Sequence, residues 1–256
     1  MNEPLSILKQ FDPISLKEMD RVKLMNRTDT KFTFNFLQFE VLLGDILEHY
    51  SVLEIDGKRI CRYKTLYYDT PHLELYNKHH NGELNRYKIR HRTYMESNIG
   101  FLEVKFKNNK GRTIKDRIKK KDVPFSWEGD AKIFLTEALP FEPQTLIPAI
   151  WVNYSRLTLV NKTSAERLTI DLDLEYVKGD RTKKMNSLVI AEVKQEKRSP
   201  SPFLKVMKKY HIREGSISKY CMGVALICDG VKRNNFKPKL LTLKHIIHDD
   251  LIASSR

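Results

Sequence analysis

The segment Arg86-Tyr87-Lys88-Ile89-Arg90-His91-Arg92 constrains the fold more than any other. In an extended strand, successive side chains point to opposite faces. Arg86, Lys88, Arg90 and Arg92 then share one face, and Tyr87, Ile89 and His91 share the other. Four like charges in a row repel one another. Such a strand is stable where water screens the row or a polyanion fills it.

Three further segments repeat the device. In 101–107, Glu103, Lys105 and Lys107 oppose Leu102, Val104 and Phe106. In 167–175, Arg167, Asp171, Asp173 and Glu175 oppose Leu168, Ile170, Leu172 and Leu174. In 188–196, Glu192, Lys194 and Glu196 oppose Val189, Ala191 and Val193. Any one of these strands fits an ordinary antiparallel sheet with a wet face and a buried face. Four together, dominated by Arg and Lys, predict an α+β fold: an antiparallel β-barrel tunnel with a polar interior, flanked by helices at both termini. Helical spacing at 5–20, 37–49, 202–210 and 218–228 supplies the expected outer cover. A tunnel of this kind differs from a small barrel packed with apolar side chains.

Composition agrees. The 256 residues carry 46 Lys and Arg against 32 Asp and Glu, a formal net charge of +14, with 41% hydrophobic residues for a core. Such an excess points to nucleic acid, an anionic membrane or a phosphorylated small molecule. No nucleic-acid signature is present, which argues against a specific nucleic-acid partner. Cys61, Cys221 and Cys228 lack metal-ligand spacing and read as reduced, packed residues. The opening residues have no signal-peptide pattern, and no apolar run approaches a spanning helix. A cytoplasmic location follows, at the inner face of a membrane only through a partner. With no repeat or linker, the chain reads as a single domain, 1–256, with its core at about 20–240.

The period-two pattern runs over 59–107 and returns at 151–160, 166–177 and 187–196. Residues 122–150 read as an excursion with a short helix near 131–138. The tail after Lys232 shows no pattern. His79-His80 beside Asn81-Gly82 reads as a hairpin turn rather than a metal site. Lys119-Lys120-Lys121 reads as solvated, Trp127 and Trp151 as packing, and Tyr67, Tyr68 and Tyr87 as core or outer wall.

A cation-lined tunnel suits triphosphate chemistry, because Arg makes bidentate contacts with phosphate oxygens. A few carboxylates among those cations suggest a divalent ion, Mn²⁺ or Mg²⁺, which binds carboxylate and phosphate oxygens together. Glu192 reads as a metal ligand ahead of a salt-bridged barrel residue, and Asp171 and Asp173 could each instead pair with a neighbouring Arg.

Several ordered motifs then resemble one family: Asn26-Arg27-Thr28-Asp29-Thr30-Lys31-Phe32, Thr65-Leu66-Tyr67-Tyr68-Asp69-Thr70, the basic strand 86–92, Glu103-Val104-Lys105-Phe106-Lys107 with Lys110-Gly111-Arg112, Asn153-Tyr154-Ser155-Arg156, the strand 167–173, Glu192-Val193-Lys194, and Ser218-Lys219-Tyr220. The chain resembles the VTC domain, the polyphosphate polymerase domain of the vacuolar transporter chaperone complex. It is most similar to the stand-alone bacterial members, within the triphosphate tunnel metalloenzyme superfamily. The resemblance implies a phosphotransferase moving the terminal phosphoryl group of ATP onto a growing polyphosphate chain. It implies catalytic roles for Arg86, Lys88, Arg90, Arg92, Lys105 and Lys219, and phosphate binding by Arg27, Lys31, Lys107, Arg156, Arg167 and Lys194. Glu192 would hold the metal, helped by Glu103 or Asp171 through water. ATP and polyphosphate or triphosphate are the expected ligands. The wider superfamily's opening Glu-x-Glu-x-Lys is missing, since 25–31 reads Met25-Asn26-Arg27-Thr28-Asp29-Thr30-Lys31. That fits the VTC branch better than a tunnel triphosphatase. A triphosphatase and a non-catalytic polyphosphate-binding module are the alternatives. The chain carries no SPX-like or membrane-spanning domain, so product translocation would need a membrane partner.

Overall fold

The computed structural model describes residues 6–19 and 28–253, with side chains described as far as residue 247. A short β1 (Pro13–Ile14) and α1 (Leu16–Met19) precede β2 (Thr28–Asn35) and α2 (Phe36–Ile46). Asn35 starts α2 through a capping box. Its side chain accepts from the Gln38 amide, and Gln38 reaches back to the Asn35 amide. Next come β3 (Tyr50–Leu53), β4 (Ile60–Asp69), α3 (Glu74–His80), β5 (Arg86–Tyr94), β6 (Ile99–Lys107), β7 (Thr113–Lys119) and α4 (Gly129–Ala138). The chain continues through β8 (Ile147–Asn161), β9 (Glu166–Lys178), β10 (Arg181–Met185), β11 (Leu188–Gln195), α5 (Pro202–Lys209), β12 (Glu214–Gly215), α6 (Lys219–Ile227) and α7 (Lys237–Ala253).

All twelve strands among the described residues belong to one sheet, in the order β12-β2-β11-β9-β8-β4-β5-β6-β7, with β3 on β8, β1 on β3 and β10 on β9. Every pair is antiparallel except β1 with β3. The expected closed barrel is corrected here. Among the described residues the two ends of the sheet, β7 and β12, do not pair, so the sheet is open. It nevertheless curls. Lys105 on β6 feels the charges of Glu192 on β11 and Lys31 on β2. On a flat sheet the five strand steps from β6 to β11 would place them about 24 Å apart, well beyond a screening length of about 8–10 Å.

The convex face is apolar, as the alternation predicts. Leu157, Leu159, Leu168, Ile170, Leu172, Val189, Ala191 and Val193 pack against Phe39, Leu42, Leu43 and Ile46 of α2 and against Phe203, Val206 and Met207 of α5. Leu8 and Phe11 join from the amino-terminal segment. Further along, Leu66, Tyr68, Ile89, Leu102 and Val104 bury α4 through Ala131 and Leu135. Trp127 and Trp151 pack in this second cluster, and the three cysteines are buried and free.

One expected outer helix lies elsewhere. α6 packs on the concave face, against Ile150, Val152, Tyr154, Leu174, Tyr176, Leu188 and Ile190. Its approach is close: a Cβ on Gly223 would come within 2.5 Å of the Tyr176 ring and 2.8 Å of Ile150. A bulge makes this possible. Asp173 adopts a left-handed φ of 52°, and the β8–β9 register shifts between Asn153 and Ser155. Leu172 then faces outward, while Leu174 and Tyr176 turn inward to α6. The alternation expected across 167–175 therefore breaks at Asp173, which is exposed.

Other expectations also shift. α3 interrupts the predicted strand run over 59–107, and His79-His80 end this helix rather than form a hairpin turn. The Asp69 carboxylate accepts from the amides of Leu75 and Tyr76 and so fixes the first turn of α3. α7 occupies the tail in which no pattern was visible. β7 and β10 arise in strongly charged segments, where period two is hidden. Among the described residues, no helix is long and apolar enough to cross a membrane.

Candidate functional site: a cationic concave face

The pairing register carries the basic row of β5 across its neighbours. Arg86 stands opposite Lys107, Lys88 opposite Lys105, and Arg90 opposite Glu103. On β7, Lys115 stands opposite Lys105. Across the curl, Lys31 faces Glu192, Thr169 faces Glu192 and Arg167 faces Lys194. Arg156 faces Asp171. α6 delivers its amino-terminal turn to the same face. Ser218 caps the helix by accepting from the Cys221 amide, and it also accepts from Lys88 Nζ at 3.0 Å. Lys219 binds Asp171.

Three interior carboxylates are each held by two cations. Glu103 pairs with Arg90 at 2.6 Å and with Lys115. Asp171 takes a bidentate grip from Arg156, at 2.6 and 2.9 Å, together with Lys219. Glu192 pairs with Lys31 at 2.5 Å and with Lys194, which also donates to Thr169 Oγ1 at 2.9 Å. Burial alone would raise all three carboxyl groups, but these cations hold them well below the usual range.

Aromatic rings line the floor between the ion pairs. Tyr63 and Tyr154 stack at 5.1 Å. The Arg156 guanidinium lies 5.2 and 5.3 Å from their centroids, Arg92 lies 5.7 Å from Tyr63, and Lys219 lies 5.0 Å from Tyr154. Tyr67 accepts from Arg90 Nη1 at 3.1 Å and stacks on Tyr220 of α6. Burial would raise the Tyr67 phenol, yet Arg90, Arg92 and Lys88 together hold it below its ordinary value. Tyr67 is buried in the core under α6, as its sequence context predicts, and its hydroxyl also reaches the cations.

The cations are not all matched. Arg92 is 8% exposed, and among the described residues it makes no hydrogen bond or ion pair; its Nε is buried without an acceptor. Lys105 also lacks a hydrogen bond and an ion pair among the described residues, although it is open to water. A hollow of 410 Å³ lined by Phe32, Leu204, Met207 and Ile212 lies beyond the convex face. Its apolar floor is rimmed by Arg198, Lys208, Arg213 and Glu214, whereas Arg92 and Lys105 stand on the open concave face.

A family model described as VTC domain matches residues 26–228. The chain belongs to the VTC domain family. No curated protein matches it. Among solved structures, a candidate adenylate cyclase from Bacillus halodurans is 13% identical, with a TM-score of 0.47, covering 76% of this chain and 96% of its own. A candidate adenylyl cyclase from Hippeastrum, described as having a dominant triphosphatase activity, is 13% identical with a TM-score of 0.47, covering 78% and 96%.

In this VTC domain, the sequence-derived residues Lys31, Arg86, Lys88, Arg90, Arg92, Lys105, Lys107, Arg156, Arg167, Lys194 and Lys219 fall on β2, β5, β6, β8, β9, β11 and α6, around the one concave face. Arg27 lies outside the described residues. The three expected metal ligands do not gather: among the described residues no three His, Cys, Asp or Glu form a cluster. A hard divalent ion is commonly held by one or two carboxylates plus substrate phosphates. Glu192 fits that arrangement best, because its side chain is 20% exposed while those of Glu103 and Asp171 are 1% and 4% exposed behind their cations. Lys115, Tyr63, Tyr67 and Thr169 complete the face. Lys115 escaped notice because β7 carries charge on both of its faces.

The VTC face holds its lysines in a strained charge state. Desolvation on the crowded face, reinforced by Lys88 and Arg90, pushes Lys105 down to about 8, although its side chain still meets water. Burial likewise pushes Lys115 and Lys194 down to about 8, despite their partners Glu103 and Glu192. An unfolded lysine titrates near 10.4. Between about pH 8 and 10.4 the unfolded chain binds more protons, so these groups make the empty protein more stable as pH rises there. A bound polyanion restores the protonated form. Calorimetric titration of inorganic triphosphate near pH 8.5 in buffers of different ionisation enthalpy is therefore expected to show proton uptake of about one. The same titration at pH 6.5 is expected to show none from these lysines.

Proposed function

We propose that this VTC domain is a metal-dependent polyphosphate polymerase, transferring the terminal phosphoryl group of ATP onto a growing polyphosphate chain. The observation that carries the reading is Arg92: a nearly buried guanidinium whose Nε lacks an acceptor, set among the cations of the concave face. A buried donor without a partner costs about 1–3 kcal/mol. A phosphate oxygen relieves that cost and, through a charge-assisted contact, repays it.

In the proposed reaction the bond between the β and γ phosphates breaks, a terminal oxygen of the chain forms the new P–O bond, and ADP departs. Such transfer asks the protein mainly for positioning and charge. Arg90 and Arg92 fix the oxygens of the transferred group. Lys105, Lys88 and Arg86 hold one anionic strand, and Lys31, Lys194, Arg156 and Lys219 face them across the curl. Mn²⁺ or Mg²⁺ held by Glu192 and phosphate oxygens would neutralise charge as the anhydride bond breaks. α6 fills one end of the face and limits water there.

Incubation with ATP and Mn²⁺, followed by a polyphosphate-stained gel, tests the reading. Long chains support it. Orthophosphate release without chains makes the protein a triphosphatase. A binding module is favoured by one observation, that Glu103, Asp171 and Glu192 are each already held by two cations. Glu192→Gln separates the two. The polymerase reading expects that variant to retain polyphosphate binding and lose turnover by about 10²–10³-fold. A wild type inert with every divalent metal leaves binding as the function.

A further inference from the structure

The cationic row does not end at Lys88. Arg86 lies two residues further along the same face of β5, opposite Lys107. The segment Ser216-Ile217-Ser218, which leads into α6, ties two lysines together. Lys88 donates to Ser218 Oγ at 3.0 Å, and Lys239 of α7 donates to Ser216 Oγ at 2.7 Å. Both lysines thus have a neutral hydroxyl as partner. Among the described residues, Arg86, Lys107 and Lys239 make no ion pair. His79, near the end of α3, sits 6.1 Å from the Phe236 ring just before α7, and its Nδ1 is buried without a partner. Burial, then Lys88, Arg86, Lys239 and Lys107, push the ring down to about 3, so it stays neutral among these cations. Lys239 lies beyond the residues 26–228 matched by the family model.

We propose that Lys239, with neutral His79, forms a phosphate subsite that continues the central row past Arg86 and Lys107. It takes the further phosphates of linear polyphosphate longer than triphosphate. This rests on the polyphosphate reading above. Arg86 to Arg92 alone spans about 20 Å along the strand, more than three phosphates occupy. Lys239 extends the path beyond that. A path of cations gains from each added phosphate and from the counterions released.

The test is titration of inorganic triphosphate and of a medium-length linear polyphosphate into wild type, Lys239→Gln and Lys239→Arg. Lys239 is half-buried, with a neutral hydroxyl as its hydrogen-bond partner, so these variants should fold. Lys239→Gln is expected to weaken the long chain by about fivefold to tenfold and triphosphate by less than about twofold. The slope of log affinity against log salt for the long chain should fall by about one. Lys239→Arg should restore both. Equal effects on the two ligands, or no effect on the long chain, would overturn the subsite while leaving the central site intact. A wild type that fails to bind triphosphate at all sinks the central reading, and this subsite with it.

Discussion

Arg92→Leu is expected to stabilise the unliganded protein by about 1–2 kcal/mol while weakening triphosphate binding by about 100-fold. The two effects share one cause. In the empty protein the Arg92 guanidinium is almost fully enclosed and its Nε lacks an acceptor; Arg90 and Arg156 repel it, while the charge of Glu103 attracts it and its pKa stays above the ordinary value. A contact over the Tyr63 ring at 5.7 Å adds about 0.5–1 kcal/mol. Leucine keeps much of the stem and removes the unmet donor. With ligand present the balance reverses, because a charge-assisted bond to phosphate is worth about 1.5–3 kcal/mol. Thermal unfolding with and without inorganic triphosphate measures both quantities. A variant that melts lower when empty, with unchanged affinity, would show that Arg92 is a structural residue.

Glu103→Gln is expected to do the opposite. Glu103 is 1% exposed and holds Arg90 and Lys115. Removing its charge leaves two cations facing each other in a partly closed face, a loss of about 3 kcal/mol, or a fall in Tm of about 10 °C. Affinity for triphosphate should hold or rise, since Arg90 and Lys115 are released toward the ligand. The pH dependence has a definite sign. Glu103 is held well below its ordinary value, so its contribution is complete above about pH 5 and is lost as acid protonates the folded form. The gap in Tm between variant and wild type should therefore close in strong acid. A shift below about 3 °C at neutral pH would mean that Lys115 and Arg90 are satisfied elsewhere.

Strand parity made much of the site legible. Arg86, Lys88, Arg90 and Arg92 share a face in any extended conformation, so no tertiary information was needed to group them. The same holds for Glu103 with Lys105, and for Glu192 with Lys194. Parity also gave the outward faces that meet α2, α4 and α5. It failed at Asp173, where one left-handed residue reverses the faces that follow. It missed β7, Thr113–Lys119, where Asp116 interrupts the face that Ile114 and Ile118 share.

What the sequence by itself determined is local: which side chains share a face, where the helices around 37–49, 131–138, 202–210 and 218–228 form, and that the net charge needs an anionic partner. The tertiary structure decided the rest. It set the register that gives each of Glu103, Asp171 and Glu192 two cations. It left Arg92 and Lys105 unmatched, placed α6 inside the curl, and kept the sheet open between β7 and β12. Parity repeats every two residues and belongs to one strand. Register, curl and the seating of α6 arise between elements far apart in the chain, so they appear only when strands pair and a bulge turns Leu174 and Tyr176 inward. The cationic face was written strand by strand; its matched and unmatched charges were fixed by how those strands meet.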